Sequence, residues 1–324
     1  MKNMKLYVWI PTFALFFIYC FAIYALNRKQ GITKRTWEPY LIIFPVMLIL
    51  FMLYGYPLID SVTMAFQNYK LSNLNKIYFN GLTNFKNLYK ESATAMIIKN
   101  SLKYVIVGVS GQFLLGLTLA MALRKKFRFR NVYQSLVFLP WSFSAFIVGL
   151  MFRWSFNGEY GVVNDILLKL GLVQERVSFL GSPKYALLVV MIAMIWMGVP
   201  FFAIMLLAAL QSIPSDVYES AEIDGAGPIT TFFSITIPYI KPTIITTILL
   251  RSIWIFNSFD LIVIITEGGP ANSSQTLPSY MYNQAFAAFD FGRASAIGLM
   301  LMFVLTLYAF LFLKVTNYDK AGDF

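Results

Sequence analysis

Histidine is absent from the 324-residue sequence, and cysteine occurs once, at Cys20. A chain without histidine lacks the commonest general base and a principal metal ligand of proteins. A single cysteine excludes an intramolecular disulfide framework and a cysteine-rich metal site. We therefore expect that this chain binds no metal and no cofactor of its own.

Charged residues are also scarce, at 13% of the sequence, compared with about 25% in soluble domains. Apolar residues make up 58%, and the mean hydropathy is +0.66, which indicates a polytopic membrane protein. The Walker A pattern G-x-x-x-x-G-K-[ST] does not occur, so no P-loop for ATP is expected. In a membrane protein, positive residues chiefly set the topology and contact anionic lipid. We therefore attribute the net charge of +11 to these roles and not to nucleic-acid binding.

Seven apolar segments are long enough to cross about 30 Å of hydrocarbon as helices. They are approximately 6–26, 39–59, 104–123, 133–153, 185–210, 243–265 and 294–313. These segments predict an all-α polytopic membrane protein with about seven transmembrane helices. The first segment lacks an A-x-A cleavage site before Asn27, so we interpret it as a membrane helix and not as a signal peptide.

Dense clusters of Lys and Arg at 28–35 and 124–130 follow the first and third segments. Short linkers with such clusters stay in the cytoplasm. This rule predicts an external N-terminus, with the C-terminus and residues 211–242 in the cytoplasm. The lysines of 60–103 oppose this orientation, but that linker is longer and its lysines are dispersed.

Residues 211–242 form a polar interruption in the apolar second half of the chain. Asp216 and Glu219 have capping-box spacing at the start of a short helix. Gly225 stands where a left-handed cap would end that helix, and Pro228 where a second helix can begin. The pattern predicts a helix, a glycine turn and a second helix outside the bilayer, where a partner can bind.

The run Glu219-Ser220-Ala221, three residues, Gly225, nine residues and Ile235-Thr236-Ile237-Pro238 resembles a known motif. It is similar to the EAA loop of binding-protein-dependent ABC importer permeases, E-A-A, three residues, G, nine residues, I-x-L-P. Ser220 and Ile237 depart from the pattern, while every spacing holds. The segments FNGEYGVVN, WMGVPF and IFNSFDLIVIITEGGP look like the sugar branch of that family. The resemblance covers about residues 38–316.

The resemblance implies a six-helix type I ABC importer permease core in residues 37–324, with the EAA coupling loop at 211–242. Residues 1–36 would add an N-terminal helix and a basic linker. The chain would be a transport subunit, not an enzyme, in a bacterial or archaeal plasma membrane. Its implied partners are a second homologous permease, two ATPase subunits that hold ATP and Mg, an extracytoplasmic sugar-binding protein and a carbohydrate. The implied ATPase-coupling residues are Glu219, Ser220, Ala221, Asp224 and Gly225.

The resemblance also implies a substrate path along the fifth and sixth spans. Arg251, Trp254, Ile255 and Ser258 recur at i, i+3, i+4 and i+7, which predicts a single helix face. An arginine at mid-membrane costs at least about 2.5–3.5 kcal/mol, so Arg251 should face protein, a cavity or an anion. The implied path residues are Trp141, Met197, Gly198, Phe201, Arg251, Trp254, Ile255 and Ser258. Ordinary helix packing is the alternative for the aromatic residues, and a structural charge pair is the alternative for Arg251.

The charge of the substrate and the class of the transporter stay open at this point. Arg251 can bind an acidic substrate bidentately, and it can equally donate to a neutral sugar. An ABC permease for a non-sugar solute is a second interpretation. An ion-driven secondary transporter is a third, and it predicts paired intramembrane carboxylates or discontinuous helices in symmetric halves. Asp260 is the one acid that lies well inside a predicted span.

Overall fold

The computed structural model describes residues 38–125 and 127–316, with side chains from residue 43 onward. The predicted helix and linker at residues 1–36 lie outside the described residues. Within them the chain is helical, and extended pairing is limited to isolated bridges such as Lys70 with Asp290. The all-α fold class is confirmed.

The helices follow one another with short connections. In chain order they are α1 (Glu38–Leu50), α2 (Tyr56–Ala65), α3 (Thr83–Lys90), α4 (Ser92–Arg124), α5 (Arg130–Phe138), α6 (Ala145–Ser155), α7 (Val162–Lys169), α8 (Ala186–Gln211), α9 (Ser215–Ile223), α10 (Pro228–Thr231), α11 (Ile237–Asn257), α12 (Asp260–Ile265), α13 (Leu277–Phe286) and α14 (Phe291–Thr316). Short π-helical segments, Phe51–Gly55 and Phe232–Thr236, join α1 to α2 and α10 to α11.

Several of these helices are long and apolar enough to cross a membrane. They are Ile43–Ala65, Ser92–Arg124, Ala186–Gln211, Pro228–Asn257 and Phe291–Thr316, with the bent pair Arg130–Ser142 and Ala145–Ser155 as a sixth span if it is taken as one. They overlap six of the seven predicted segments. The seventh, 6–26, lies outside the described residues.

The chain divides into two compact units after Ser61. In the first unit the helical segment exposes apolar side chains, among them Val46, Phe51 and Leu53. Such a surface suits a hydrocarbon environment. The second unit, residues 62–324, contains the candidate functional residues.

The predicted continuous span 133–153 is wrong, because the helix pair in this region bends by 92°. Pro140 lies in a short 3-10 turn, and Phe143 is extended, with φ −90° and ψ 142°. Ser144 then caps α6 by accepting a hydrogen bond from the Ile147 N–H at 3.3 Å. A proline followed by a new N-cap ends one helix and starts another in a new direction.

The predicted span 243–265 also needs correction at both ends. The helical segment begins at Pro228 and continues to Asn257 as a span of 30 residues. Ser258 is extended, with φ −76° and ψ 133°. A separate helix, α12, then begins at Asp260. The second helix of the 211–242 loop is therefore continuous with the membrane span.

The larger hydrophobic core is centred on α8, where Val190, Phe202 and Leu206 are fully buried. Helix α4 packs along α8 at very short range. A Cβ atom added at Gly116 would lie 3.1 Å from the Ala203 nitrogen and 3.2 Å from the Phe202 carbonyl carbon. Glycine at this position lets the two backbones approach closely. A smaller core includes Leu88 of α3, Ile97 of α4 and Ile297 of α14.

We predict that Gly116→Leu destabilises the protein, because the side chain must push α4 away from α8. Overpacking of this kind costs about 1–3 kcal/mol. Thermal unfolding of the purified protein, followed by size-exclusion chromatography, measures the effect. Leu114→Ala on the same helix is the control, since Leu114 is 61% exposed. Equal melting temperatures for the two variants would contradict the packing of α4 on α8.

Candidate functional site

Arg251 lies on α11 and is held by an uncharged partner. Its Nε donates to the Oε1 of Gln112 at 2.6 Å. Gln112 is fully buried on α4, and its Nε2 donates to the Met194 carbonyl of α8 at 2.8 Å. Arg251 forms no ion pair among the described residues. Within this chain its positive charge is thus oriented by a hydrogen bond without being neutralised, and pairing of Arg251 within the complex stays a prediction.

Two aromatic rings lie close to this guanidinium, and a third ring packs on one of them. The ring centroid of Phe201 lies 5.3 Å from that of Trp254 and 6.1 Å from that of Trp141. The Arg251 guanidinium carbon lies 5.7 Å from the Phe201 centroid and 6.0 Å from the Trp254 centroid. These distances are within the range of cation–π attraction. Trp141 and Trp254 are about half exposed, so their faces are accessible in this subunit.

Gly198 provides the space in which the Gln112–Arg251 pair sits. A Cβ at this position would collide with the Gln112 amide and with the Arg251 guanidinium. Met197, the preceding residue of α8, is partly buried and packs against the larger core. The structure therefore brings Trp141, Gly198, Phe201, Arg251 and Trp254 into one cluster, which we call the arginine–aromatic cluster.

Two predicted path residues, Ile255 and Ser258, are not part of this cluster. Ile255 is 2% exposed and is part of the larger core. The prediction that Ser258 shares the helix face of Arg251 is wrong, because α11 ends at Asn257. The Ser258 hydroxyl instead donates to the Ile255 carbonyl at 2.9 Å.

Gln112 is a functional residue that the sequence pattern alone did not single out. The residue is a single amide within the apolar run of α4, and an isolated polar side chain in a span is a signal of an interhelical hydrogen bond. The sequence contained that signal, but it did not identify the residue to which Gln112 is hydrogen-bonded. Only the fold shows that Gln112 contacts a residue 139 positions further along the chain.

The 211–242 loop forms the predicted helix, glycine turn and second helix. Gly225 has φ +75°, which confirms the left-handed cap. Its N–H donates to the Glu222 carbonyl at 3.0 Å, and the Ala226 N–H donates to the Ala221 carbonyl at 2.9 Å. This pair of bonds is a Schellman motif. Pro228 occupies the first position of α10, as predicted.

The predicted capping box at Asp216 and Glu219 is wrong. The N-cap position of α9 is Pro214, and no side-chain hydrogen bond caps the helix. Proline has no side-chain oxygen with which to accept such a bond. Glu219 is exposed and forms no ion pair within the described part of the chain, so its carboxylate is available to a partner.

Tyr218 attaches α9 to the membrane helices. Its hydroxyl lies 3.1 Å from the hydroxyl of Thr236, the N-cap residue of α11, which carries Arg251. The Arg124 guanidinium carbon, at the end of α4, lies 4.0 Å from the Tyr218 ring centroid. Ala221 is also buried, whereas Ser220 and Asp224 are exposed. One side of α9 therefore packs on the protein and the other faces solvent.

Large apolar side chains are exposed around the same turn. Ile223 is 86% exposed, Ile229 is 76% exposed and Phe233 is 66% exposed. A group of exposed apolar residues beside an available carboxylate is typical of a protein-binding surface. We call Glu219, Ser220, Ile223, Asp224 and Ile229 the coupling surface.

We predict that Gln112→Leu lowers stability by about 1–3 kcal/mol, because it leaves the Arg251 Nε donor without an acceptor. Thermal unfolding of the purified protein measures the loss. The double variant Gln112→Leu/Arg251→Met is the control, and it should recover part of the loss because neither polar group is then left alone. Strictly additive losses would contradict a direct interaction between the two side chains.

Comparison with known proteins identifies the family of this chain. Residues 112–317 match the family described as "Binding-protein-dependent transport system inner membrane component". The chain is 32% identical to the sulfoquinovosyl glycerol transport system permease protein SmoG of Agrobacterium fabrum, over 82% of this chain and 86% of that protein. It is 34% identical to the trehalose/maltose transport system permease protein MalF of Thermococcus litoralis, over 68% of this chain and 74% of that protein.

A solved structure has the same fold. It is a crystal structure of a bacterial ABC transporter involved in the import of the acidic polysaccharide alginate. The matched chain superposes with a TM-score of 0.78 at 25% identity, covering 90% of this chain and 98% of that chain. The present chain belongs to the family of inner membrane components of binding-protein-dependent transport systems.

Proposed function

We propose that this chain is a membrane-spanning subunit of an ATP-driven ABC importer for carbohydrates and is not itself an enzyme. The observation that carries the proposal is the geometry of α9. A Schellman turn at Gly225 closes the helix, Tyr218 fastens it to two spans, and the coupling surface faces solvent. Membership of the family removes the support for an ion-driven secondary transporter.

The coupling surface is the proposed docking site for an ATPase subunit. Glu219 would pair with a basic residue there, and Ile223 would enter an apolar depression. Gly225 allows the sharp turn, and Ala221 keeps α9 close to the membrane helices. The proposed assembly contains a second homologous permease, two ATPase subunits that hold ATP and Mg, and an external sugar-binding protein, with the coupling surface in the cytoplasm.

The contacts of Tyr218 provide a route from this surface to the arginine–aromatic cluster. Thr236 begins the helix that carries Arg251, and Arg124 ends the helix that carries Gln112. Because a helix transmits displacement along its axis, movement of α9 would shift Arg251 relative to Gln112. In the proposed alternating-access cycle, ATP-driven closure of the ATPase dimer moves α9, and the cluster changes its exposure between the two sides.

The arginine–aromatic cluster is the proposed carbohydrate contact in the translocation path. Indole faces pack against the C–H faces of sugar rings, and a guanidinium donates to hydroxyl or acidic groups. The unneutralised charge of Arg251 favours a carbohydrate with a carboxylate or sulfonate group. The relatives named for sulfoquinovosyl glycerol and for alginate support that choice, whereas the trehalose/maltose relative supports a neutral sugar.

We predict that Glu219→Ala and Gly225→Pro release the ATPase subunit from the complex in mild detergent. Truncation of a central interface residue costs at least about 2 kcal/mol, which is about a thirtyfold loss of affinity. Affinity purification with mass spectrometry identifies the partners, and ATP hydrolysis is assayed in each eluate. Ser215→Ala, on the first turn of the same helix, is the control. A wild-type chain that purifies alone and transports without ATP would overturn the proposal.

We predict that Arg251→Met reduces uptake of an acidic trisaccharide from alginate by at least about tenfold, because a charge-assisted hydrogen bond is worth about 1.5–3 kcal/mol. Uptake of maltotriose should fall less. Reconstituted vesicles with labelled sugars provide the measurement. Trp154→Ala is the control, since Trp154 packs on Tyr160 away from the cluster. Unchanged uptake of both sugars in Arg251→Met would show that the cluster lies off the path.

A further inference from the structure

A polar cavity of about 710 Å³ lies between the 66–87 segment and residues 290–293. It shares no lining residue with the arginine–aromatic cluster. Helix α4 begins beside it, at Ser92, and ends at Arg124 beside Tyr218. The cavity and the coupling surface therefore lie at opposite ends of a 33-residue helix, which places the cavity on the side proposed to face outward.

Backbone contacts hold the walls of this cavity together. The Leu71 N–H donates to the Phe289 carbonyl at 3.0 Å, and the Gly292 N–H donates to the Tyr69 carbonyl at 3.0 Å. A Cβ at Gly292 would lie 3.0 Å from the Tyr69 nitrogen, so glycine permits this close approach. The 66–87 segment is thus tied to the start of α14 by backbone hydrogen bonds.

Each cation at the cavity has a carboxylate partner. Lys70 Nζ lies 3.2 Å from Asp290 Oδ2. Arg293 pairs with Glu91, and its NH2 group lies 2.7 Å from the Tyr280 hydroxyl, which itself donates to Glu91 at 2.8 Å. Burial raises the pKa of Tyr280 above its ordinary value, so this hydroxyl keeps its proton. Because the charges are paired, the cavity has little attraction left for an ionic group.

Side-chain amides provide accessible hydrogen-bonding groups at the cavity. Asn87 is exposed and Asn68 is half-buried, and both residues line the cavity. An amide group both donates and accepts, so a ligand with several hydroxyls can bond to these side chains. Asn80 Oδ1 and Arg293 Nε have no partner among the described residues, but both atoms are buried away from solvent.

Aromatic side chains also line the cavity. Tyr78 is 60% exposed and Phe79 is 74% exposed. Large exposed aromatic rings next to amides provide the combination that recognises sugars, since the rings cover C–H faces while the amides take hydroxyls. The side-chain amides of Asn68, Asn80 and Asn87 are further lining groups.

We propose that this cavity is a second carbohydrate subsite, which binds one glycosyl unit through its hydroxyl groups before the sugar reaches the arginine–aromatic cluster. This inference rests on the proposed function in carbohydrate import. Asn68 and Asn87 bind hydroxyls, and Tyr78 and Phe79 pack against the ring. An acidic side chain of a docked protein fits less well, because both cations already have carboxylate partners.

The test uses the complete transporter in lipid nanodiscs without its binding protein. Saturation-transfer difference NMR is recorded with maltotriose, trehalose and an alginate trisaccharide. Uptake of the same sugars is measured separately, in vesicles to which the binding protein is added. The subsite predicts a signal in the wild type that persists in Arg251→Met. Tyr78→Ala and Asn87→Leu should reduce that signal by about tenfold, as expected for loss of an aromatic contact or a hydrogen bond.

Tyr89→Ala is the matched control, because Tyr89 is 90% exposed on the adjacent α3 and does not line the cavity. Melting temperatures verify that each variant is folded. Loss of the signal in Arg251→Met, or an equal loss in Tyr89→Ala, overturns the subsite. The subsite is also overturned if Tyr78→Ala impairs docking of the binding protein and leaves the NMR signal of the sugar unchanged. If a sugar is taken up but gives no NMR signal, only the subsite is overturned. If none of the three sugars is taken up, the proposed function is contradicted as well.

Discussion

The hydrogen bonds of Gln112 are the interaction on which the interior of this subunit depends. One amide group joins three membrane helices, because it accepts from Arg251 of α11 and donates to the carbonyl of Met194 on α8. In an apolar interior such groups must find partners within the protein. The bond therefore fixes the position of the guanidinium. A residue larger than glycine at position 198 would collide with the side chains of Gln112 and Arg251.

A second set of contacts joins the same helices nearer to the 211–242 loop. Tyr218 contacts Arg124 at the end of α4 and Thr236 at the N-cap of α11. The two helices that meet at Gln112 and Arg251 are thus both contacted by one residue of α9. In the proposed function, these contacts connect the solvent-exposed turn to Arg251.

The two polar regions of the subunit differ in how their charges are balanced. Arg251 has an uncharged partner and keeps its positive charge, whereas Lys70 and Arg293 at the 710 Å³ cavity are paired with carboxylates. Under the two proposals made above, the first environment would select a carbohydrate by charge and the second by hydroxyl hydrogen bonding.

The sequence by itself determined the helical class, the approximate positions of the described spans and the Gly225 turn, because apolar segment length and the steric freedom of glycine are local properties. It also placed Arg251, Trp254, Phe201 and Trp141 among the candidate residues. Helix direction and partners were decided by the tertiary structure: the bend at Ser144, the end of α11 at Asn257 and the contact of Arg251 with Gln112. These features depend on packing between residues far apart in the chain, and a periodic pattern in one segment contains no information about which distant side chain will face it.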